Sequence, residues 1–186
     1  MLPNFTSPFS KNDLPSVWQL CNVKTLVINL DDVEPIDLRG MRNLEDLSTV
    51  CLYRCRLDKT TIQIIAALPH LKTLYLETCD ITGDAWSAFD QLSDLTELHL
   101  NGNSVTDERL AAIGRCDRLN SLSLLGTKVT ASGLRALERF ASLQEVVVSP
   151  TTNSSSATHG VSEQELQELD PGRIKFKRIV SVQIDD

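Results

Sequence analysis

The sequence predicts an α/β repeat protein in which small strand–turn–helix units stack and complete one another's core. Three observations predict it. The stretch "LHLNGNSVTDERL", residues 98–110, holds an apolar alternation at Leu98 and Leu100, a polar turn at Asn101-Gly102-Asn103 and a helix start at Thr106-Asp107-Glu108. A unit that small cannot bury its own apolar face. The same residue types recur 24 positions away on both sides: Leu98 matches Leu74 and Leu122, Leu100 matches Leu76 and Leu124, and Val105 matches Ile81 and Val129. Finally, units begin at Val23, Leu47, Leu71, Leu95, Leu119 and Leu143, five intervals of 24 without a gap. A fixed period of that size is the signature of stacked repeats.

The elements follow in chain order. Residues 1–22 read as an N-terminal segment and cap helix, because Leu14, Val17 and Leu20 lie 24 positions before Leu38, Met41 and Leu44. The helical half of the period thus extends upstream with no strand in phase. Residues 23–148 hold the repeats. Each opens with a strand burying one face, as at Leu71, Leu74 and Leu76. The ninth position runs Asp31, Cys55, Cys79, Asn103, Thr127 and Thr151, where a small side chain would bond the turn backbone or pack tightly in it. An apolar residue and a helix cap come next: Leu57-Asp58, Ile81-Thr82, Val105-Thr106 and Val129-Thr130. Unit one has Glu34 at the cap and Pro35 at the first helical position. Helical spacing closes the unit, as at Leu134, Leu137 and Phe140.

After Val148 the period breaks. "SPTTNSSSATHG", residues 149–160, reads as a mobile polar loop. Residues 161–186 read as a C-terminal cap helix and strand. Ser162 would cap the helix, Glu165 would reach back, and Val161 would staple to Leu166. Asp170-Pro171-Gly172 stops it. "RIKFKRIVSVQI" then alternates as one edge strand or two short ones, its basic residues discouraging edge-to-edge pairing.

The pattern L-x-x-L-x-L-x-x-[C/T/N]-x-[V/I], best seen in "LKTLYLETCDITGDAWSAFDQL" and "LNSLSLLGTKVTASGLRALERF", resembles the leucine-rich repeat. Among its forms it is most similar to the ribonuclease-inhibitor-like and cysteine-containing classes. The resemblance covers Leu14 to Val148. It implies a right-handed solenoid with a parallel β-sheet on the concave side and helices on the convex side.

Composition narrows the function. The chain has 186 residues, 41% hydrophobic and 23% charged, with a net charge of −7. That charge argues against nucleic acid or an anionic membrane as partner, and no apolar run approaches the length of a membrane helix. No secretory leader is visible in "MLPNFTSP", so a cytoplasmic location is expected. Five cysteines, Cys21, Cys51, Cys55, Cys79 and Cys116, form neither a paired disulfide framework nor a zinc motif. Reduced thiols, no metal and no cofactor are expected.

On such a scaffold the outward-facing strand positions carry function, and alternation gives them. The third position runs Thr25, Thr49, Thr73, Glu97, Ser121, Glu145. The fifth runs Val27, Cys51, Tyr75, His99, Ser123, Val147. The seventh runs Asn29, Tyr53, Glu77, Asn101, Leu125, Ser149. Both tyrosines of the chain fall on this face, on adjacent strands beside Glu77, Glu97, His99 and Asn101. Tyrosine also suits strands as such, but rigid area with a hydroxyl makes it a frequent contact residue. The expected function is therefore a non-enzymatic module, monomeric, that binds a protein partner on this face through Tyr53, Tyr75, Glu77, Glu97, His99 and Asn101. The acidic residues favour a Lys- or Arg-bearing partner.

Two other functions are weighed against it. Related leucine-rich repeat proteins recruit substrates to ubiquitin ligases, but they carry an F-box upstream, and "NDLPSVWQLCNV" is too short for one. A hydrolase would use Glu97 to orient His99. Cys51 lies two rungs from His99, roughly 10 Å at about 4.8 Å per strand, too far for a thiolate–imidazole pair. No serine elbow, phosphate loop or HExxH motif is present.

Overall fold

The computed structural model describes residues 13–29, 36–113, 116–149, 161–169 and 174–178. Seven strands form one sheet: β1 (Thr25–Asn29), β2 (Thr49–Tyr53), β4 (Thr73–Glu77), β6 (Glu97–His99), β7 (Ser121–Leu124), β8 (Glu145–Val148) and β9 (Lys175–Arg178), in that order. All neighbours pair in parallel. Two short strands after the turns, β3 (Arg56–Leu57) and β5 (Asp80–Ile81), pair as a second sheet. From β1 to β8 the register equals the sequence period: Leu26 faces Val50, which faces Leu74, then Leu98, Leu122 and Val146. Every one of these side chains is buried. The core is a stack of such columns, each unit completed by its neighbours, which is an α/β leucine-rich repeat solenoid.

The convex layer mixes short helices of two kinds. α2 (Lys59–Ala66), α3 (Asp107–Ala112) and α4 (Ala131–Arg135) are α-helical, whereas Arg39–Asn43, Ala85–Gln91 and Ala136–Arg139 are 3-10 turns. The physical reason is reach. A strand and its turn use half of each 24-residue period, and a 3-10 turn spans more length per residue than an α-helix. The expected caps form where α-helices start. Asp58 accepts from Thr61 N at 2.8 Å, Thr106 from Arg109 N at 3.3 Å, and Thr130 from Ser132 N at 3.2 Å. Thr82 is the exception: it precedes a 3-10 turn and donates to Asp84 instead. The expected helix start at Glu34-Pro35 lies outside the described residues.

The ninth-position ladder bonds the turns as its chemistry suggested. Asn103, 3% exposed, accepts from Cys79 N at 2.7 Å and donates to Leu76 O. Thr127 donates to Leu124 O at 2.8 Å, and the thiols of Cys55 and Cys79 donate to strand carbonyls at 3.3 Å. The preceding position has a feature the sequence pattern did not reveal. Arg54, Thr78, Gly102 and Gly126 all have positive φ, between 53° and 68°. Every described strand-to-turn corner in the middle of the stack therefore needs a left-handed residue, and only two of the four are glycine.

A short helix lies toward each end of the described chain. α1 (Leu14–Val17) buries Leu14 and Val17, and Trp18 packs so closely on Gly40 that a Cβ there would overlap the indole. At the other end α5 (Glu163–Glu168) begins with the expected capping box: Glu165 N donates to Ser162 Oγ at 3.2 Å, and Ser162 N donates back to Glu165 Oε2 at 2.8 Å. β9 is a seventh rung and an edge strand of the sheet. It pairs with β8 in parallel, Val146 facing Phe176, at a spacing of 30 rather than 24. Apart from Ser149, the expected mobile loop over 149–160 lies outside the described residues.

Candidate functional site

The outward columns of the sheet carry the residues singled out in the sequence. Cys51, Tyr75, His99 and Ser123 stand in one row of facing positions across β2, β4, β6 and β7, and Tyr53 faces Glu77 beside them. Tyr53, Tyr75, Glu77, Glu97, His99 and Asn101 are all partly exposed. Alternation is what puts them there: Leu52, Leu74, Leu76, Leu98 and Leu100 point the other way and are buried.

The structure brings four of the six together tightly. The rings of Tyr75 and His99 stack at 4.0 Å between centroids, 15° from parallel. Asn101 donates from Nδ2 to Glu77 Oε1 at 3.1 Å. Its Oδ1 accepts from Ser123 Oγ at 2.7 Å and from Leu125 N at 3.0 Å. Asn101 thus ties three rungs together and aims Glu77, so its amide serves the scaffold. Tyr53 stands on β2 over the small Cys51 position, and Glu97 lies two residues before His99 on β6.

Electrostatics follow from burial and the acidic neighbours. Burial pushes the His99 imidazole below its ordinary value, outweighing the carboxylates of Glu97 and Glu77, which pull the other way. The ring is therefore neutral at pH 7. Burial, then Glu77, pushes the Cys51 thiol up to about 11; burial raises both tyrosine hydroxyls, followed by Cys51 and Glu77 at Tyr53 and by Glu97, Cys51 and Glu77 at Tyr75.

This arrangement bears on the hydrolase reading. Among the described residues no hydrogen bond joins Glu97 to His99; the imidazole faces Tyr75 instead. Tyr75 also stands between Cys51 and His99 in their row, and Cys51 holds its proton at neutral pH. No group of three or more His, Cys, Asp or Glu among the described residues is placed to hold a metal ion. No described helix is long and apolar enough to cross a membrane. Of the remaining cysteines Cys21 is exposed and the other three are packed inside. Cys55, Cys79 and Cys116 are buried, and burial pushes Cys116 up to about 12. Cys79 is lowered by its hydrogen bond with Cys55.

Sequence reasoning missed two parts of the face. Lys175 and Lys177 extend the third and fifth columns onto β9, and Lys177 Nζ pairs with Glu145 Oε2 at 2.6 Å. The alternation of Ile174 and Phe176 with the two lysines was the available signal, but the six extra residues in that unit hid the register. The Tyr75–His99 stack was implied by adjacent columns but not foreseen as a ring contact.

Comparison with known proteins agrees with the fold. The leucine rich repeat family model matches residues 69–129. No curated protein matches. Among solved structures, the internalin inlF of Listeria monocytogenes is 22% identical with a TM-score of 0.58, covering 88% of this chain and 43% of its own. The internalin C2 of the same species is 20% identical with a TM-score of 0.48, covering 92% of this chain and 84% of its own. The chain thus spans less than half the length of inlF. Residues 69–129 thus match a leucine-rich repeat and the fold is that of internalin inlF, while nothing in these matches singles out the ribonuclease-inhibitor-like class. The expectation of a cytoplasmic location is corrected. It rested on the lack of a visible leader, whereas the internalins that share the fold are secreted or cell-surface proteins.

Proposed function

We propose that this leucine-rich repeat solenoid is a non-enzymatic protein-interaction module that docks a protein partner on its concave sheet. The docking patch is Tyr53, Tyr75, Glu77, Glu97, His99 and Asn101, carried by the repeats over 23–148 with 1–22 and 161–186 as end caps. One observation carries the proposal: the aromatic and acidic residues of three adjacent rungs form a continuous, partly exposed surface on an open sheet face. Preformed rings cost little further ordering on binding, and tyrosine and arginine-type contacts dominate interface energies. Membership of the cysteine-containing class is part of the same proposal, supported by Cys55 and Cys79 in the ninth-position ladder.

The test compares wild type with the Tyr53→Ala, Tyr75→Ala double variant in capture from lysate of the source cells. Circular dichroism first establishes that both fold. A partner held by wild type and lost by the variant is the expected result. A partner held equally by both would remove the site from this face.

A further inference from the structure

The chemistry of the patch points to one kind of guest. The Tyr75 and His99 rings, 4.0 Å apart and 15° from parallel, form a face-to-face stack across β4 and β6, each ring keeping the face turned away from the other. Glu77 lies two residues beyond Tyr75 toward one end of the strands, and Glu97 two residues before His99 toward the other. Carboxylates therefore flank the stack on both sides, and both act on the imidazole. His99 is kept neutral by burial and supplies no charge to answer them.

Neither carboxylate is neutralised from within the described residues. The Glu97 carboxylate makes no hydrogen bond or ion pair there, and that of Glu77 is bonded by the neutral amide of Asn101. Glu145, in the same column as Glu97, shows the contrast, since Lys177 answers it at 2.6 Å. Among the described residues, the centre of the face thus offers the outer faces of a ring stack beside negative charge with no cationic partner. An ammonium group would answer the charge and be drawn to a ring face but can neither stack flat nor donate in a fork, and an aromatic ring would answer the rings alone. A guanidinium satisfies both, because it is planar, stacks on rings and donates in a fork to carboxylates.

We propose that Tyr75, His99, Glu77 and Glu97 form a receptor for the guanidinium of an arginine side chain presented by the protein partner. This rests on the concave-face reading above and names the residue type that face selects.

The experiment is an NMR titration of the full chain with the blocked tripeptide acetyl-Gly-Arg-Gly-amide, following the ring resonances of His99 and Tyr75. Lysine and citrulline versions run beside it. Saturable shifts in the millimolar range are expected for arginine. The lysine peptide binds about threefold or more weakly, and citrulline, isosteric but uncharged, gives no saturation. Glu97→Gln weakens the arginine peptide by about threefold or more while its circular dichroism stays wild type, and Glu45→Gln, in the exposed turn before β2, changes nothing. Equal binding of citrulline and arginine, no saturable shift with arginine, or an unchanged Glu97→Gln would each overturn the receptor. Its failure separates from failure of the docking face. If the peptide does not bind but the double tyrosine variant still loses its partner, the face stands and the arginine receptor falls. If the peptide binds as expected and the partner is retained, the receptor stands and the partner docks elsewhere.

Discussion

At the scale of single residues, the corners after the strands set the sharpest demands. Gly102 has φ +68°, and a Cβ there would come within 2.7 Å of Thr78 Oγ1 on the previous corner. An L side chain in the left-handed region costs about 1–2 kcal/mol before any clash is counted. Gly102→Ala should therefore lower stability by about 1–3 kcal/mol, read from the urea midpoint with an unchanged slope. Arg54 and Thr78 already bear that backbone penalty. Arg54 offsets it by donating to Asn29 Oδ1 at 3.1 Å from the neighbouring rung. His99 supplies a second residue-scale prediction. Its folded pKa lies below the ordinary 6.5 because burial disfavours the imidazolium. The unfolded chain therefore binds the proton more readily, so the contribution is fully present above pH about 6.5 and is lost as pH falls through the folded value. Urea unfolding at about pH 7.5 and pH 5 should show wild type losing more stability on acidification than His99→Asn. An equal loss in both would place the pH dependence elsewhere.

At the scale of elements, units are joined by side chains that cap the neighbour rather than their own helix. Asp107, in the first turn of α3, accepts from Thr130 N at 2.8 Å and from Thr130 Oγ1 at 2.6 Å at the start of α4. Gly133 is required beside it, because a Cβ there would overlap the carboxylate. The sequence showed Thr130 as a cap but not that Asp107 caps the cap, since a contact of 23 residues lies outside any local motif. Asp107→Ala should cost about 1–2 kcal/mol, with hydrogen exchange speeding up at the start of α4 more than within α3. Asn103 makes a comparable link in the turns, and there burial raises the stakes. Asn103→Ala would leave Cys79 N and Leu76 O, both in the buried ladder, without their partner. Two stranded backbone groups make a loss of about 2–4 kcal/mol, larger than for Asp107→Ala, and paired urea curves would test that order.

At the scale of the whole molecule, legibility follows from what repeats. The columns Leu26, Val50, Leu74, Leu98, Leu122, Val146 were readable because burial on one sheet face leaves a period in the sequence. The outward row of Tyr75 and His99 was readable for the same reason, by subtraction. The ring stack, the Asn101 bridge and β9 were not, because each depends on side-chain geometry or on a register that an insertion shifts. The same one-dimensional order dictates how the molecule should fail. A buried residue in a middle unit packs against rungs on both sides, whereas one on β1 has a single paired neighbour, β2. In a stack whose stability is a sum of units and nearest-neighbour interfaces, a central defect weakens two interfaces and an end defect one. Leu98→Ala, at 0% exposure on β6, should cost about 3–5 kcal/mol, and Leu26→Ala, at 8% on β1, about 2–3 kcal/mol. Hydrogen exchange supplies the readout that distinguishes this from a plain difference in burial. Leu98→Ala should lower protection on both β4 and β7, its paired neighbours, while Leu26→Ala should lower it on β2 and leave β7 and β8 as in wild type. Uniform loss of protection across all strands in the Leu26→Ala variant would mean that the solenoid unfolds as one cooperative block instead.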